Sequence, residues 1–267
     1  MDLLTSRSAR VKDARALTVG KHRRERGEFL AEGPQAVREA IAAGAVIDLF
    51  VEQGTSDRFY SEVDAASSRG LPVHLVDRGA LASLVTAQTP QGLVARCRWN
   101  PPRLADVLGK PGPGQVALAH EMSDPGNAGA LIRVADAAGA VGVGLSSRSV
   151  DPTNPKVVRA TAGSIFHLPV VDAGETLEVL NGLRGAGYLT LAADVAPDAV
   201  DLFAAEREGL LGGRVAWVFG NEAHGLPPEV LSAVDHVVRI PILGRAESLN
   251  LATAAAVCLY AVARQSA

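Results

Sequence analysis

Two cysteines, Cys97 and Cys258, are all the chain contains, far apart and with no ligand-like spacing. That argues against a disulfide framework and fits a reducing cytoplasm. Aromatic residues are scarce, at 4% of 267 positions, so small aliphatic side chains must pack helices closely onto a sheet. No apolar run approaches the ~20 residues of a membrane span. The best stretch, Leu251 to Ala263, is too short and reads as a core or interface helix. The segment Met1 to Arg7 lacks the apolar stretch of a signal peptide. A soluble cytoplasmic protein with no membrane association is expected. The six histidines are scattered without metal spacing, so no metal site is expected.

Other familiar signatures are missing too. There is no Gly-x-Ser-x-Gly elbow and no Gly-rich loop ending in Lys-Ser/Thr. Gly139-Ala140-Val141-Gly142-Val143-Gly144 has the wrong glycine spacing for a dinucleotide site. It also runs from a helix into a strand, opposite to what pyrophosphate binding at a helix N-terminus needs. Hydrolase and dehydrogenase readings lose their footing.

Charge is present but uneven. Arg7 to Arg26 holds eight basic residues (Arg7, Arg10, Lys12, Arg15, Lys21, Arg23, Arg24, Arg26) against Asp13 and Glu25, whereas residues 111–267 hold ten basic and sixteen acidic ones. The basic run reads either as a solvated helix face or as a phosphate-binding arm.

The chain is long enough for one large or two modest domains. Helix and strand patterns alternate up to about residue 100, with strands at Phe29–Ala31, Val46–Val51, Val73–Val76 and Gly92–Cys97. Pro34 and Gly44 punctuate a helix, and others follow near Asp57 to Ser68 and from Asp77. Pro/Gly clusters between 100 and 114 read as linker, giving domains of 1–105 and 114–267. Beyond them, strands are expected at Val116–His120, Val141–Leu145, Ile165–Val170, Tyr188–Ala193, Val215–Phe219 and Val237–Ile240. Helices lie between most of these, with a last one over Leu249–Arg264. Such alternation implies an α/β fold with a largely parallel sheet, whose ligands bind beyond the carboxyl ends of its strands.

Three loops follow strands and carry polar groups: Glu121–Asn127, Gly220–Pro227 and Pro241–Ser248. Asn127 falls where a helix N-cap is expected. Arg133 sits in a helix otherwise built of Ala, Leu, Ile and Val. It either pairs with Asp136 at i+3 or reaches an anionic ligand with its fork.

Asp124-Pro125-x-Asn127-x-Gly129-x-x-x-Arg133, Gly220-Asn221-Glu222-x-x-Gly225, and Ile240-Pro241 through Ser248-Leu249-Asn250 together resemble, in order, the three motifs of the SpoU (TrmH-like) family of RNA ribose 2'-O-methyltransferases, within the SPOUT superfamily. The match spans roughly 116–264. Asn154-Pro155-Lys156-Val157-Val158-Arg159-Ala160-Thr161-Ala162-Gly163 is similar to a further family segment, with Thr161 where Ser is commoner. Residues up to about 100 resemble the family's substrate-binding domain, itself similar to a small ribosomal RNA-binding protein.

The resemblance implies an S-adenosylmethionine-dependent enzyme with a deep trefoil knot in its C-terminal SPOUT domain. It also implies a homodimer, with small residues Ala252, Ala254, Ala255 and Ala256 letting the last helix approach its partner. By the same resemblance the cofactor would be held by Phe219, Gly220, Asn221, Gly225, Ile240, Pro241, Ser248 and Leu249. Arg133 leads the catalytic set, completed by Asn127, Glu222, Ser248 and Asn250. A guanidinium stays protonated in ordinary sites, so Arg133 is better read as an orienter and alkoxide stabiliser than as a base; Glu222 is the candidate proton acceptor. RNA would be collected by Lys21, Arg23 and Arg24, helped by Lys156 and Arg159, with 23S ribosomal RNA favoured over transfer RNA. A base methyltransferase and a non-catalytic RNA-binding or ribosome-assembly protein on the same fold are the competing readings.

Overall fold

The computed structural model describes residues 3–108 and 114–265. Its first stretch runs α1 (Ala9–Arg15), α2 (Gly20–Arg26), β1 (Glu28–Glu32), α3 (Pro34–Ala42), β2 (Val46–Glu52), α4 (Tyr60–Ser68), β3 (Val73–Val76), α5 (Arg78–Leu84) and β4 (Leu93–Arg98). After it come α6 (Leu104–Leu108), β5 (Gly114–Ala119), α7 (Pro125–Ala137), β6 (Gly142–Ser146), α8 (Pro155–Ala160), β7 (Val170–Gly174), α9 (Thr176–Gly185), β8 (Leu189–Ala193), β9 (Val200–Asp201), α10 (Leu202–Arg207), β10 (Arg214–Phe219), α11 (Pro228–Leu231), β11 (His236–Arg239) and α12 (Leu251–Gln265). Packing sorts the chain into two compact units, residues 1–100 with 151–167, and residues 101–150 with 168–267.

In the first unit β1, β4, β2 and β3 lie side by side in that order, β4 antiparallel to both neighbours and β2 parallel to β3. Local chemistry sets the helix starts. Pro34 occupies the first turn of α3, where its missing N–H costs nothing, and Asp77 caps α5 by accepting the Ala80 N–H at 2.6 Å. The core is aliphatic, with Val11, Leu17, Leu30, Leu81, Leu84 and Val94 packed around Phe50. Segment 151–167 belongs to this unit although it follows β6 in sequence; Phe166 stacks on Phe29 with ring centroids 5.8 Å apart.

The second unit is built on seven strands in the order β7-β6-β5-β10-β8-β11-β9, every neighbouring pair parallel. Both faces are covered, which is why its central strands read as unbroken apolar runs. Val116, Leu118, Ala216 and Val218 pack with Val179, Leu180 and Leu183 of α9. Trp217, fully buried, alternates to the opposite face. Gln115 is buried as well, and its amide donates to the carbonyls of Ala138 and Leu259, tying α12 to the end of α7.

Three expectations need correction. The run Ile165–Val170 is not one strand: Ser164–Phe166 forms a 3-10 turn after Gly163 at φ 103°, and β7 starts only at Val170. Pro169, which has no N–H to give a ladder, separates the two and offers its carbonyl to Val143 at 2.9 Å. The 100–114 segment is not all linker, because α6 lies within it and buries Val107 and Leu108; Lys110 to Pro113 lie outside the described residues. The N-cap of α7 is Asp124, whose carboxylate accepts the Asn127 N–H at 2.7 Å. Asn127 is therefore in the first turn, and its side chain is left for other partners.

Candidate active site

The parallel sheet places the ends of β5, β8, β10 and β11 on one edge, and there the second unit opens a cavity of about 490 Å³. Asn127, Phe219, Gly220, Asn221, Glu222, Gly225, Ile240, Ser248, Leu249 and Asn250 all line it. Segments far apart in sequence thus converge on one site. Pro241 and Arg133 are not among the lining residues.

The loop after β10 is held by its own backbone. Asn221 and Gly225 exchange N–H···O bonds of 3.0 and 2.8 Å, with Gly225 left-handed at φ 67°. Gly220 lies so close to this bridge that a Cβ there would sit 2.5 Å from the Gly225 carbonyl carbon; only glycine fits. The Asn221 side chain points inward, donating to the Glu121 carbonyl at 2.6 Å and accepting the Ala223 N–H at 2.9 Å. It stiffens the loop.

Glu222 reaches across to the loop after β5. Its carboxylate accepts from the Ser123 N–H and hydroxyl, both at 3.4 Å, and from the Asp124 N–H and Asn127 Nδ2, both at 3.3 Å. The Asn127 Oδ1 in turn accepts from Asn250 Nδ2 at 3.2 Å. Asn250 opens α12 by accepting the Ala252 N–H at 3.0 Å. A hydrogen-bonded chain, Glu222–Asn127–Asn250, therefore joins the three loops at the polar end of the cavity. Phe219, Val238, Ile240 and Leu249 add apolar groups to the lining. Phe219 itself is almost completely buried and stacked on Trp217.

Behind the loop after β5, Glu121 and Arg148 both adopt positive φ, 47° and 67°, and pair with each other. The hydrogen bond from Arg148 holds the Glu121 carboxyl below the ordinary range. His120 is buried, with Nδ1 2.8 Å from Thr176 Oγ1, and burial pushes its imidazole below the usual value. Arg133, on α7, is exposed and makes no hydrogen bond or ion pair with the described residues; the i+3 pair with Asp136 does not form.

Sequence reasoning missed Ala193, Asp194 and Val195, which follow β8 and line the cavity, together with Val238, Glu247 and Ala254. The signal for Asp194 was its place directly after an apolar strand, which no motif marks.

The basic residues of the first unit divide into structural and free ones. Arg23 is 5% exposed and fully engaged. It donates to Asp151 at 2.7 Å, to Thr153 at 3.1 Å and to the carbonyls of Leu17 and Thr18 at 3.2 Å. The expectation that Arg23 meets phosphate is corrected: it clamps α2 to the 151–153 segment. Arg159 is also partly withdrawn, half-buried with its Nη1 3.5 Å from Glu32, a carboxyl that burial pushes up. Lys21, Arg24 and Lys156 stay exposed.

Among the described residues no group of His, Cys, Asp or Glu could hold a metal ion, and no helix is long and apolar enough to cross a membrane. Residues 115–260 match the SpoU rRNA Methylase family and residues 8–95 the MRM3-like substrate binding domain. The 23S rRNA (guanosine(2553)-2'-O)-methyltransferase RlmP of Bacillus subtilis is 32% identical over 96% of both chains. The 23S rRNA (uridine(2479)-2'-O)-methyltransferase of Streptomyces viridochromogenes is 30% identical over 98% of this chain and 92% of its own. Among solved structures, an AdoMet-bound rRNA methyltransferase from Sinorhizobium meliloti superposes with a TM-score of 0.84 at 33% identity, covering 100% of this chain and 98% of that one. With its three motif loops meeting at one cavity and these relatives matched from end to end, the chain belongs to the SpoU rRNA methylase family.

Proposed function

We propose that the protein transfers a methyl group from S-adenosylmethionine to a ribose 2'-hydroxyl of 23S ribosomal RNA. The Glu222–Asn127–Asn250 chain carries this reading, because it gathers the three motifs at one end of a nucleoside-sized cavity. The relatives named for this reaction act on 23S ribosomal RNA, which favours that RNA over transfer RNA.

The cavity's residues fit the cofactor. Phe219, Val238, Ile240 and Leu249 give the lining an apolar character that suits adenine, and the backbone around Gly220 and Leu249 would supply N–H and C=O groups to its edge. Asn127, Ser248 and Asn250 would supply polar contacts. When bound, S-adenosylmethionine supplies a methyl electrophile that needs no metal activation.

The ribose hydroxyl is a poor nucleophile, so alignment and charge stabilisation must come from this chain. Arg133 is free to bind the RNA ribose or its phosphate and to stabilise developing alkoxide. Glu222, already accepting four hydrogen bonds, locks the loop after β5 in place. We place RNA capture in the first unit, through Lys21, Arg24 and Lys156, and methyl transfer in the second. We also propose a homodimer through α12 and a deep trefoil knot, both implied by the family resemblance. Thr253 and Tyr260 are exposed on α12 for such an interface, whereas Ala255 is buried within its own unit.

The test is direct. Purified protein with S-adenosylmethionine and 23S RNA, without added metal, should render one ribose resistant to alkaline hydrolysis. A folded protein that neither binds S-adenosylmethionine nor protects any nucleotide would overturn the reading.

A further inference from the structure

Asp194 belongs to none of the three motifs, yet it lines the cavity. Its strand β8 lies between β10 and β11 in the sheet, so Asp194 emerges between the loops that follow those two strands. The Asp194 N–H donates to the Val238 carbonyl at 3.2 Å, which continues the ladder and fixes the residue's main chain.

The carboxylate is fixed as well. Its Oδ1 accepts the Val195 N–H at 2.6 Å and its Oδ2 the Leu226 N–H at 3.4 Å. No Lys or Arg pairs with it among the described residues, and none lines the cavity. An ionised carboxylate has about four acceptor sites, so one backbone donor on each oxygen leaves one spare site on each. Two fixed, adjacent acceptors with no cation nearby are built for two adjacent donors. A vicinal diol presents such a pair, and carboxylates grip the ribose hydroxyl of nucleotide cofactors in this way in other α/β folds.

Within the proposed S-adenosylmethionine reading, on which this step rests, position selects the same part of the ligand. Asp194 borders the apolar wall of Phe219 and Val238. Ribose joins adenine by a single bond, so a group at the edge of the adenine wall meets the ribose first. The sulfonium, by contrast, carries no hydrogen to donate. We infer that Asp194 is the acceptor for the 2'- and 3'-hydroxyls of the cofactor ribose, and hence a specificity-determining residue outside the family motifs.

The experiment compares ligands as well as proteins. Calorimetry on the full-length protein would measure S-adenosylhomocysteine and its 2',3'-dideoxy counterpart against wild type, Asp194→Ala and Asp194→Asn, with apo melting curves as the folding control. Wild type should lose about tenfold or more in affinity for the dideoxy ligand, the usual consequence of leaving a charged acceptor unpaired. In Asp194→Ala both ligands should bind within about threefold of each other. Asp194→Asn keeps the side-chain shape but offers one acceptor, and should show an intermediate ratio if the alanine variant does not fold. Equal wild-type affinity for the two ligands, or a ratio untouched by either substitution, overturns the inference. Loss of discrimination between S-adenosylmethionine and S-adenosylhomocysteine, with the dideoxy ratio intact, overturns it too, since Asp194 would then be a sulfonium counter-ion. Absence of any binding by folded wild type would instead sink the cofactor reading itself.

Discussion

The Asn127 side-chain amide donates to Glu222 at 3.3 Å across 95 positions of sequence. Because Asn127 also accepts from Asn250, one amide couples the loops after β5 and β10 to the start of α12. Arg133 lies further along α7, the helix whose first turn holds Asn127, and is not part of this coupling. The expected consequence is a division of labour that mutation can separate.

Arg133→Ala should leave S-adenosylmethionine affinity within a few-fold and cut methyl transfer by ~100-fold or more, as when a contact made in the transition state is lost. Arg133→Lys should recover only part of the rate, because Lys lacks the planar fork. Single-turnover assays beside calorimetry would read both. Near-wild-type turnover by Arg133→Ala would remove Arg133 from the reaction.

Gly220→Ala tests the loop after β10. The added methyl has nowhere to go, since the Gly225 carbonyl carbon and oxygen would lie 2.5 and 2.7 Å away. Backbone cannot yield as a flexible side chain does, so the Asn221–Gly225 bridge must open and the cavity wall with it. Cofactor affinity should fall by at least ~10-fold, about 1.4 kcal/mol, read as loss of the thermal shift that ligand confers on the folded state. A variant that keeps its full shift would show the bridge to be irrelevant to binding.

Acid should weaken the second unit in two stages. Burial lowers the His120 imidazole below its ordinary value, so the unfolded chain binds a proton first. Its contribution to stability is complete above about pH 6.5 and declines as pH falls toward the lowered folded value. Arg148 holds Glu121 below its ordinary range; that contribution is complete above about pH 4.3 and is lost as pH falls through the lowered folded value. Melting temperature should therefore begin to drop below about pH 6.5 and drop again in the acid range. His120→Asn should flatten the first step. A wild-type profile level from pH 7.5 to 5 would rule out a neutral, buried His120.

Much of this architecture was legible because strands buried on both faces and helices bounded by Pro and Gly leave local marks. Val215–Phe219 reads as a strand, and Pro34 to Gly44 reads as a helix, without help from elsewhere. What was hidden depends on distant partners. Arg23 reads as one more cation in a basic run, and only Asp151 and Thr153, some 130 positions on, turn it into a buried clamp. Asn127 looks like a cap until Asp124 takes that place. Asp194 follows an apolar strand that no motif marks, and only the strand order, with β8 between β10 and β11, brings it to the cavity.

The division among basic residues gives the last prediction. Arg23→Ala would leave Asp151 without its cationic partner, though still bonded to Thr153, and empty a buried site, at a cost of about 3 kcal/mol as for other broken buried pairs. It should therefore lower the urea midpoint. Any effect on RNA would then follow from α2 losing its hold on 151–153, not from a lost phosphate contact. Replacing Lys21, Arg24 and Lys156 together by Ala should do the reverse. All three are exposed, and the one ion pair they make among the described residues, Lys21 with Glu25, is long and solvated at 3.8 Å. Stability and cofactor affinity should hold, while RNA affinity falls and its dependence on log salt flattens by roughly 0.7 to 0.9 for each phosphate contact removed. Filter binding across 50 to 200 mM salt, about the range where such contacts matter most, reads the slope. A triple variant with unchanged affinity and slope would make this surface a solvated face and move RNA capture elsewhere on the chain.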